Sequence, residues 1–284
     1  MIGIFDSGYG GLTILRGITE RLPGYSYMYL GDNARAPYGS RSGEEIFEFT
    51  RQGVEYLFAH GCDLIVLACN TASATALRRL QQEVLPQKYP DKKILGILVP
   101  TIEQITGVPW QQTTHSMSAI GVATVGVLAT EATVQSGAYA EEIHKRNSSI
   151  KVLQQSCSGL VEAIEAGEDE SVLRTLVRGY LDQLFAQVSG GAEALSAILL
   201  GCTHYALIAD LIRSMVPDSI HLYEQPQIVA QSLTQYLAKH PEVTQKLDRA
   251  GKRTFFTTGA PEAINRHSAR YFGEPIDFSG ITLA

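Results

Sequence analysis

The chain has 284 residues, 45% of them hydrophobic and 18% charged, which is enough apolar material for a sizeable core and enough length for two domains. Its net charge of −6 supplies none of the positive field that a nucleic-acid binder needs. No apolar run is long enough to span a bilayer, and the opening MIGIFDSG has no basic stretch ahead of an apolar one, so neither membrane span nor signal peptide is expected and the expected compartment is the cytoplasm.

Strand and helix patterns alternate along the chain. Residues 2–5 read as a short apolar strand, and after Gly8, Gly10 and Gly11 a helix follows with Leu15, Ile18 and Leu22 on one face. Residues 25–30 read as a strand. Ser42 and Glu45 form a capping-box pattern ahead of a helix carrying Ile46, Phe49, Val54, Leu57 and Phe58. A buried strand at 63–68, a helix at 71–84 and a strand at 94–99, closed by Pro100, come next. The polar stretch 107–117, with Pro109, Trp110 and Gln111, reads as a surface loop.

The alternation then resumes. It gives strands at 119–128 and 152–155, a helix at 132–145, and a longer helix at 171–188 with its stripe at Leu173, Leu176, Val177, Tyr180, Leu181, Leu184 and Phe185. A strand at 197–200 leads into a helix at 206–215. The tail offers strands at 220–223 and 253–258 and helices near 226–239 and 261–271. This order predicts an α/β fold with mainly parallel sheets covered on both faces.

One echo organises the whole. Leu64 to Thr71 (LIVLACNT) and Ala197 to His204 (AILLGCTH) are the same unit twice: an apolar strand, a small residue, a cysteine, polar groups and a helix. Each is preceded by a glycine-flanked strand, at residues 2–5 and 121–128. Two similar α/β domains are expected, with the active site in the cleft between them. In open parallel sheets ligands bind beyond the carboxyl ends of the strands. The loops there are Asp6-Ser7-Gly8, Asp32 to Ser40, Cys69-Asn70-Thr71 and Cys202-Thr203-His204.

The four cysteines (62, 69, 157 and 202) form no C-x-x-C pair, which argues against zinc ribbons and redox motifs, and in a reducing compartment they are thiols. Cysteines at the ends of two matched strands suit a reaction that moves protons on both faces of one carbon. One thiolate removes an α-proton and the opposite thiol returns one. Asp6 and His204 are the groups in these loops able to handle the thiol protons. Asp6 can serve Cys69 only if the strands at 2–5 and 64–68 are neighbours. Ser7, Asn70, Thr71 and Thr203, with backbone N–H groups opening the helices, could hold a carboxylate.

Other readings stand beside this one. A cysteine after a buried strand is often packing, and Cys62 reads as core. Gly8-Tyr9-Gly10-Gly11 departs from G-x-G-x-x-G spacing, and Asp6 would repel a phosphate. Zinc on Cys69, Cys202 and His204 lacks a close ligand pair. His115, His144, His221, His240 and His267 read as surface residues. Cys202 with His204 could also serve a thiol hydrolase that does not need Cys69, and an amino-acid-binding protein would need neither thiol.

At these same residues the chain resembles the glutamate racemase family. The matching stretches are IGIFDSGYGGLTIL, YLGDNARAPYGSRS, LACNTASA, GVLATEATVQSGAY, LLGCTHYALI and FFTTGAPEAINR, which run the length of the sequence. The resemblance implies interconversion of L- and D-glutamate without pyridoxal phosphate, metal or other cofactor, supplying D-glutamate for peptidoglycan. Within the same superfamily, aspartate or another amino acid is the alternative substrate.

The resemblance also implies roles for particular residues. Cys69 and Cys202 would be the two acid/base thiols, Cys69 acting on D-glutamate and Cys202 on L-glutamate, assisted by Asp6 and His204. Substrate contacts would fall to Ser7, Tyr38, Gly39, Asn70, Thr71 and Thr203, and further to Thr130, Thr133 and Glu165. Two prolines usual near Cys157 are absent from Ser156-Cys157-Ser158-Gly159, although Glu165 still falls where the family has a glutamate. A discontinuous domain would take residues 1–98 and 208–284, and a second would take 99–207. The expected partner is a small molecule, with no nucleic acid or membrane and with a homodimer as the assembly.

Overall fold

The computed structural model describes residues 1–109, 112 and 121–283. Trp110, Gln111 and His115 lie outside the described residues, as does most of the expected loop at 107–117.

The chain divides into two compact units. The first takes residues 1–97 and 226–284, and the second 98–225. In the first, six parallel strands run in the order β10-β9-β2-β1-β3-β4. They are β1 (Ile2–Asp6), β2 (Tyr27–Gly31), β3 (Leu64–Leu67), β4 (Lys93–Gly96), β9 (Arg253–Thr257) and β10 (Phe278–Gly280). In the second, β5 (Thr124–Ala129), β6 (Lys151–Ser156), β7 (Ala197–Gly201) and β8 (His221–Tyr223) run parallel in the order β6-β5-β7-β8. Taken within each unit, β2-β1-β3-β4 and β6-β5-β7-β8 are the same winding. The duplicated strand-cysteine unit is therefore a duplicated topology, with each cysteine following the third strand of its unit.

Burial explains the strand sequences. β1, β2, β3 and β7 are buried at every residue, because helices cover both faces, and they accordingly read as continuous apolar runs rather than as alternating ones. Helix α1 (Gly11–Arg21) buries Leu12, Ile14, Leu15 and Ile18. Helix α2 (Gly43–Ala59) starts at the expected capping box: Ser42 Oγ accepts from the Glu45 N–H at 3.3 Å, and Glu45 Oε2 accepts from the Ser42 N–H at 3.0 Å. In the second unit Leu173, Val177, Leu181 and Leu184 of the helix Glu170–Phe185 join the core, with Leu176, Tyr180 and Phe185 packed at its margin.

Several expectations shift. The second unit ends at 225, not 207. The segment 208–225 stays with it because β8 pairs with β7 and because Gln225 donates to Thr101 Oγ1 and to the Tyr139 hydroxyl, both at 3.0 Å. The strand expected over 94–99 stops at Gly96. Leu98–Thr106 is a helix whose first turn holds Pro100, where a missing N–H costs nothing. The strand expected over 119–128 runs from Thr124 to Ala129, residues 119 and 120 being outside the described set. The helix expected over 132–145 is two helices, Glu131–Ser136 and Ala138–Arg146, because Gly137 adopts φ +66° and ends the first. Among the described residues no helix is long and apolar enough to cross a membrane.

Candidate active site

In the first unit, β1 and β3 are neighbours with Phe5 opposite Leu67. Continuing that register sets Asp6 beside Ala68 and Ser7 beside Cys69, so the adjacency that Asp6 needs in order to serve Cys69 is present. Cys69 is the residue ahead of helix α3 (Asn70–Thr75), and its Sγ accepts the Ala72 N–H at 3.4 Å. The Ser7 hydroxyl lies 3.5 Å from the same sulfur. Asp6 is buried, and its Oδ1 accepts the Gly8 N–H at 2.7 Å. Gly11 lets α1 start against this carboxylate, since a Cβ there would come within 2.5 Å of Asp6 Cβ. The last glycine of the cluster is thus explained by the packing of α1 on Asp6. Asn70 and Thr71 are buried directly after the cysteine.

The loop from 32 to 41 leaves the carboxyl end of β2, next to β1. Tyr38 and Gly39 lie on its three-residue turn, Tyr38–Ser40. The Tyr38 ring is fully buried, and its hydroxyl donates to Asp32 Oδ2. Burial first, and then the charge of Asp32, hold that phenol far above its ordinary pKa, so it acts as a donor. What Tyr38 can offer a substrate is therefore its backbone. Nothing in the sequence reading singled out Asp32 within its loop, although a carboxylate directly after a buried strand is a visible signal.

In the second unit, β5 and β7 are neighbours with Ala129 opposite Gly201, which sets Thr130 beside Cys202. Cys202 Sγ lies 3.8 Å from His204 Nδ1, and His204 Nε2 is 2.8 Å from Glu165 Oε1. Glu165 sits on the helix Leu160–Ala166. It was expected among the substrate contacts, but this carboxylate oxygen is committed to the histidine. Burial alone would lower the His204 pKa. Hydrogen bonds to Cys202 and Glu165, and their negative charges, outweigh burial and raise it to about 10. Thr203 is buried beside the cysteine. Thr130 caps the helix Glu131–Ser136, accepting the Thr133 N–H at 3.4 Å, and the two hydroxyls are 3.0 Å apart.

The remaining candidates separate cleanly from these. Cys62 and Cys157 are buried thiols whose pKa values burial pushes up to about 12, as befits core residues. His144, His221 and His267 are exposed, and His240 is half-buried. Among the described residues no group of three or more His, Cys, Asp or Glu side chains is placed to hold a metal ion.

Comparison with known proteins shows the family. Residues 10–233 match the Asp/Glu/hydantoin racemase family. The chain is 42% identical to a glutamate racemase of Phenylobacterium zucineum over 286 aligned residues, covering 98% of each. Among solved structures, it is similar to the glutamate racemase isoform RacE1 of Bacillus anthracis, with a TM-score of 0.84 and 29% identity over 100% of this chain and 97% of that one. It is also similar to the Francisella tularensis glutamate racemase solved in complex with D-glutamate, with a TM-score of 0.82 and 27% identity over 99% and 97%. Two sheets of one winding, each presenting a cysteine beyond its third strand, and a match that spans most of the sequence make this chain a member of the Asp/Glu/hydantoin racemase family.

Proposed function

We propose that the protein interconverts L- and D-glutamate by proton transfer through Cys69 and Cys202, providing D-glutamate for peptidoglycan synthesis. The observation that carries this reading is the equivalence of the two cysteines: each follows the third strand of a matched sheet and has a separate proton-handling group at hand. In the L-to-D direction the Cys202 thiolate takes the α-proton and becomes a thiol. The electron pair left on the α-carbon delocalises into the carboxylate. The Cys69 thiol then delivers its proton to the opposite face and becomes the thiolate that starts the reverse reaction.

The His204 imidazolium, held by Glu165, balances the charge on Cys202. On the other side the Ala72 N–H and the Ser7 hydroxyl meet the Cys69 sulfur, and Asp6 manages its proton. Ser7, Asn70, Thr71, Thr203, Thr130, Thr133 and the backbone at Tyr38 and Gly39 would hold the substrate's charged ends. No step calls on a cofactor. The setting in this reading is the cytoplasm, with a homodimer as the assembly.

The test is to incubate each glutamate enantiomer in deuterium oxide. Deuterium should enter the α-position of the product at least as fast as optical rotation is lost, in chelator and without added cofactor. Racemisation with full retention of the original proton, or no turnover of glutamate, would refute the reading. The chain from Cys202 through His204 to Glu165 also has the composition of a thiol-hydrolase triad. That second reading predicts that Cys69→Ala retains full activity on an amide substrate.

A further inference from the structure

We propose that the buried Asp32 and its partner Thr258 form an anchor that positions the 32–41 loop over Cys69, making the carboxyl-terminal segment part of the candidate site; this rests on the racemase reading. Asp32 follows Gly31, which registers with Asp6 on one side and Thr257 on the other, so the ends of β1, β2 and β9 meet here. The Asp32 N–H donates to the Asp6 carbonyl at 3.0 Å, which ties the loop's first residue to the strand that carries Asp6.

The Asp32 side chain is fully buried and takes three donors. Oδ2 accepts from the Tyr38 hydroxyl and from Arg35 Nε at 2.7 Å, and Oδ1 accepts from the Thr258 hydroxyl at 2.7 Å. A buried carboxylate persists only when paired and fully hydrogen-bonded, and these partners meet both requirements. They also tie the start of the loop to the turn at its centre. Arg35 is held further by Gln52 Oε1 at 2.6 Å and lies 4.2 Å over the Phe49 ring, while Tyr38 is the residue that opens the turn bearing Gly39.

Thr258 works in two directions. Its hydroxyl donates to Asp32, and its oxygen accepts the Ala34 N–H at 3.0 Å. Next to it, Thr257 donates to Asn33 Oδ1 at 2.9 Å. Residues some 220 positions away in sequence thus hold three consecutive residues of the loop (32, 33 and 34). The turn in question packs against α3, the helix that Cys69 opens. Asp32 and Thr258 touch no reacting atom in this scheme, so they are positioning residues. Loosening them should loosen substrate binding and the cover over Cys69, and leave the second unit unaffected.

The experiment uses the full chain with Thr258→Val, which keeps the shape and removes the hydroxyl, Thr258→Ser, which restores it, and Asp32→Asn. Losing one hydrogen bond to a charged acceptor shifts an equilibrium roughly ten- to a hundredfold. The expected result for Thr258→Val is a KM for both glutamate enantiomers raised about tenfold with kcat within about threefold, and a return to the original KM in Thr258→Ser. Asp32→Asn should move KM the same way and further. In parallel, iodoacetamide labelling read by mass spectrometry should quicken at Cys69 in Thr258→Val and stay constant at Cys202. Equal quickening at both cysteines, or unchanged KM and labelling, would overturn the proposal. The labelling arm holds whether or not glutamate is turned over, so it separates failure of this anchor from failure of the racemase reading.

Discussion

In the first unit the strand ahead of Cys69 runs beside one that ends in Asp6 and is followed by Ser7; in the second, the strand ahead of Cys202 runs beside one that ends in Ala129 and is followed by Thr130. The hydroxyl is common to both positions, and the carboxylate is not. Where the first unit has Asp6, the second has an alanine, and its titratable group comes instead from His204, two residues past the cysteine and held by Glu165 from another helix. Thr71 occupies the place of His204 in the first unit. Two copies of one winding thus carry different titratable groups near their cysteines, and the topology accounts for the location of each thiol but not for its surroundings. In the racemase scheme one thiol starts charged and the other neutral, and the two exchange these states when the direction is reversed, so each thiol needs a neighbour that tolerates both, whichever group supplies it.

The sharpest test of the comparison removes either thiol. Cys69→Ala and Cys202→Ala should each lower racemisation in both directions by a factor of about 1,000 or more, measured by circular dichroism of glutamate, because each direction uses both groups. Full activity in either variant would mean that the two positions are not equivalent partners. The next effect separates them. With a β-chloro analogue of glutamate, α-proton removal and chloride loss need only one base. Cys69→Ser should then still release chloride from the L isomer and fail on the D isomer, and Cys202→Ser should do the reverse. Each discrimination should be about 100- to 10,000-fold. Equal losses on both isomers would point to one shared base.

Much of this was legible in the sequence because burial writes itself into long apolar runs. LIVLAC and AILLGC could be matched by eye, and the register of β1 with β3 supplied the adjacency that Asp6 required. Other features were not legible, for physical reasons that can be named. Residues 208–225 carry a helix and a strand that suit either sheet, and only the pairing of β8 with β7 assigns them. The run ILVPTI, apolar and β-branched, reads as a strand end, whereas every residue of it after Ile97 lies in a helix with a proline in the first turn. The role of Glu165 depends on a side chain meeting His204 from 39 residues away, and Asp32 depends on a partner 226 residues away. Contacts at such separations leave no local pattern to read.

Glu165→Gln probes the second unit alone. The amide still reaches His204 but no longer charges the pair, so activity should fall about ten- to a hundredfold. The alkaline limb of the kcat profile should move to lower pH, since one of the interactions that raise the His204 pKa is lost. The same change should leave Cys69 labelling as it was. A loss of activity with an unmoved pH profile would show that Glu165 serves by packing rather than by charge.

The smallest effect is on stability, and its sign follows from the same histidine. His204 has a folded pKa raised from 6.5 to about 10, so the folded protein holds a proton that the unfolded chain releases near 6.5. Its contribution is therefore fully present below about pH 6.5, declines as pH rises from there, and is lost once pH passes about 10. Other groups titrate over the same range, so the informative quantity is the difference between the protein and its His204→Asn variant, measured by thermal unfolding at several pH values. That difference should be largest near pH 6 and should shrink steadily toward pH 10. For a chain of this size each kcal/mol corresponds to roughly 2–4 °C in Tm. No matching decline is expected from Asp6→Asn, because the first unit has no histidine beside its thiol. A difference that grew with pH would mean that His204 is neutral in the folded state, and the ion-pair reading of the second unit would have to be given up.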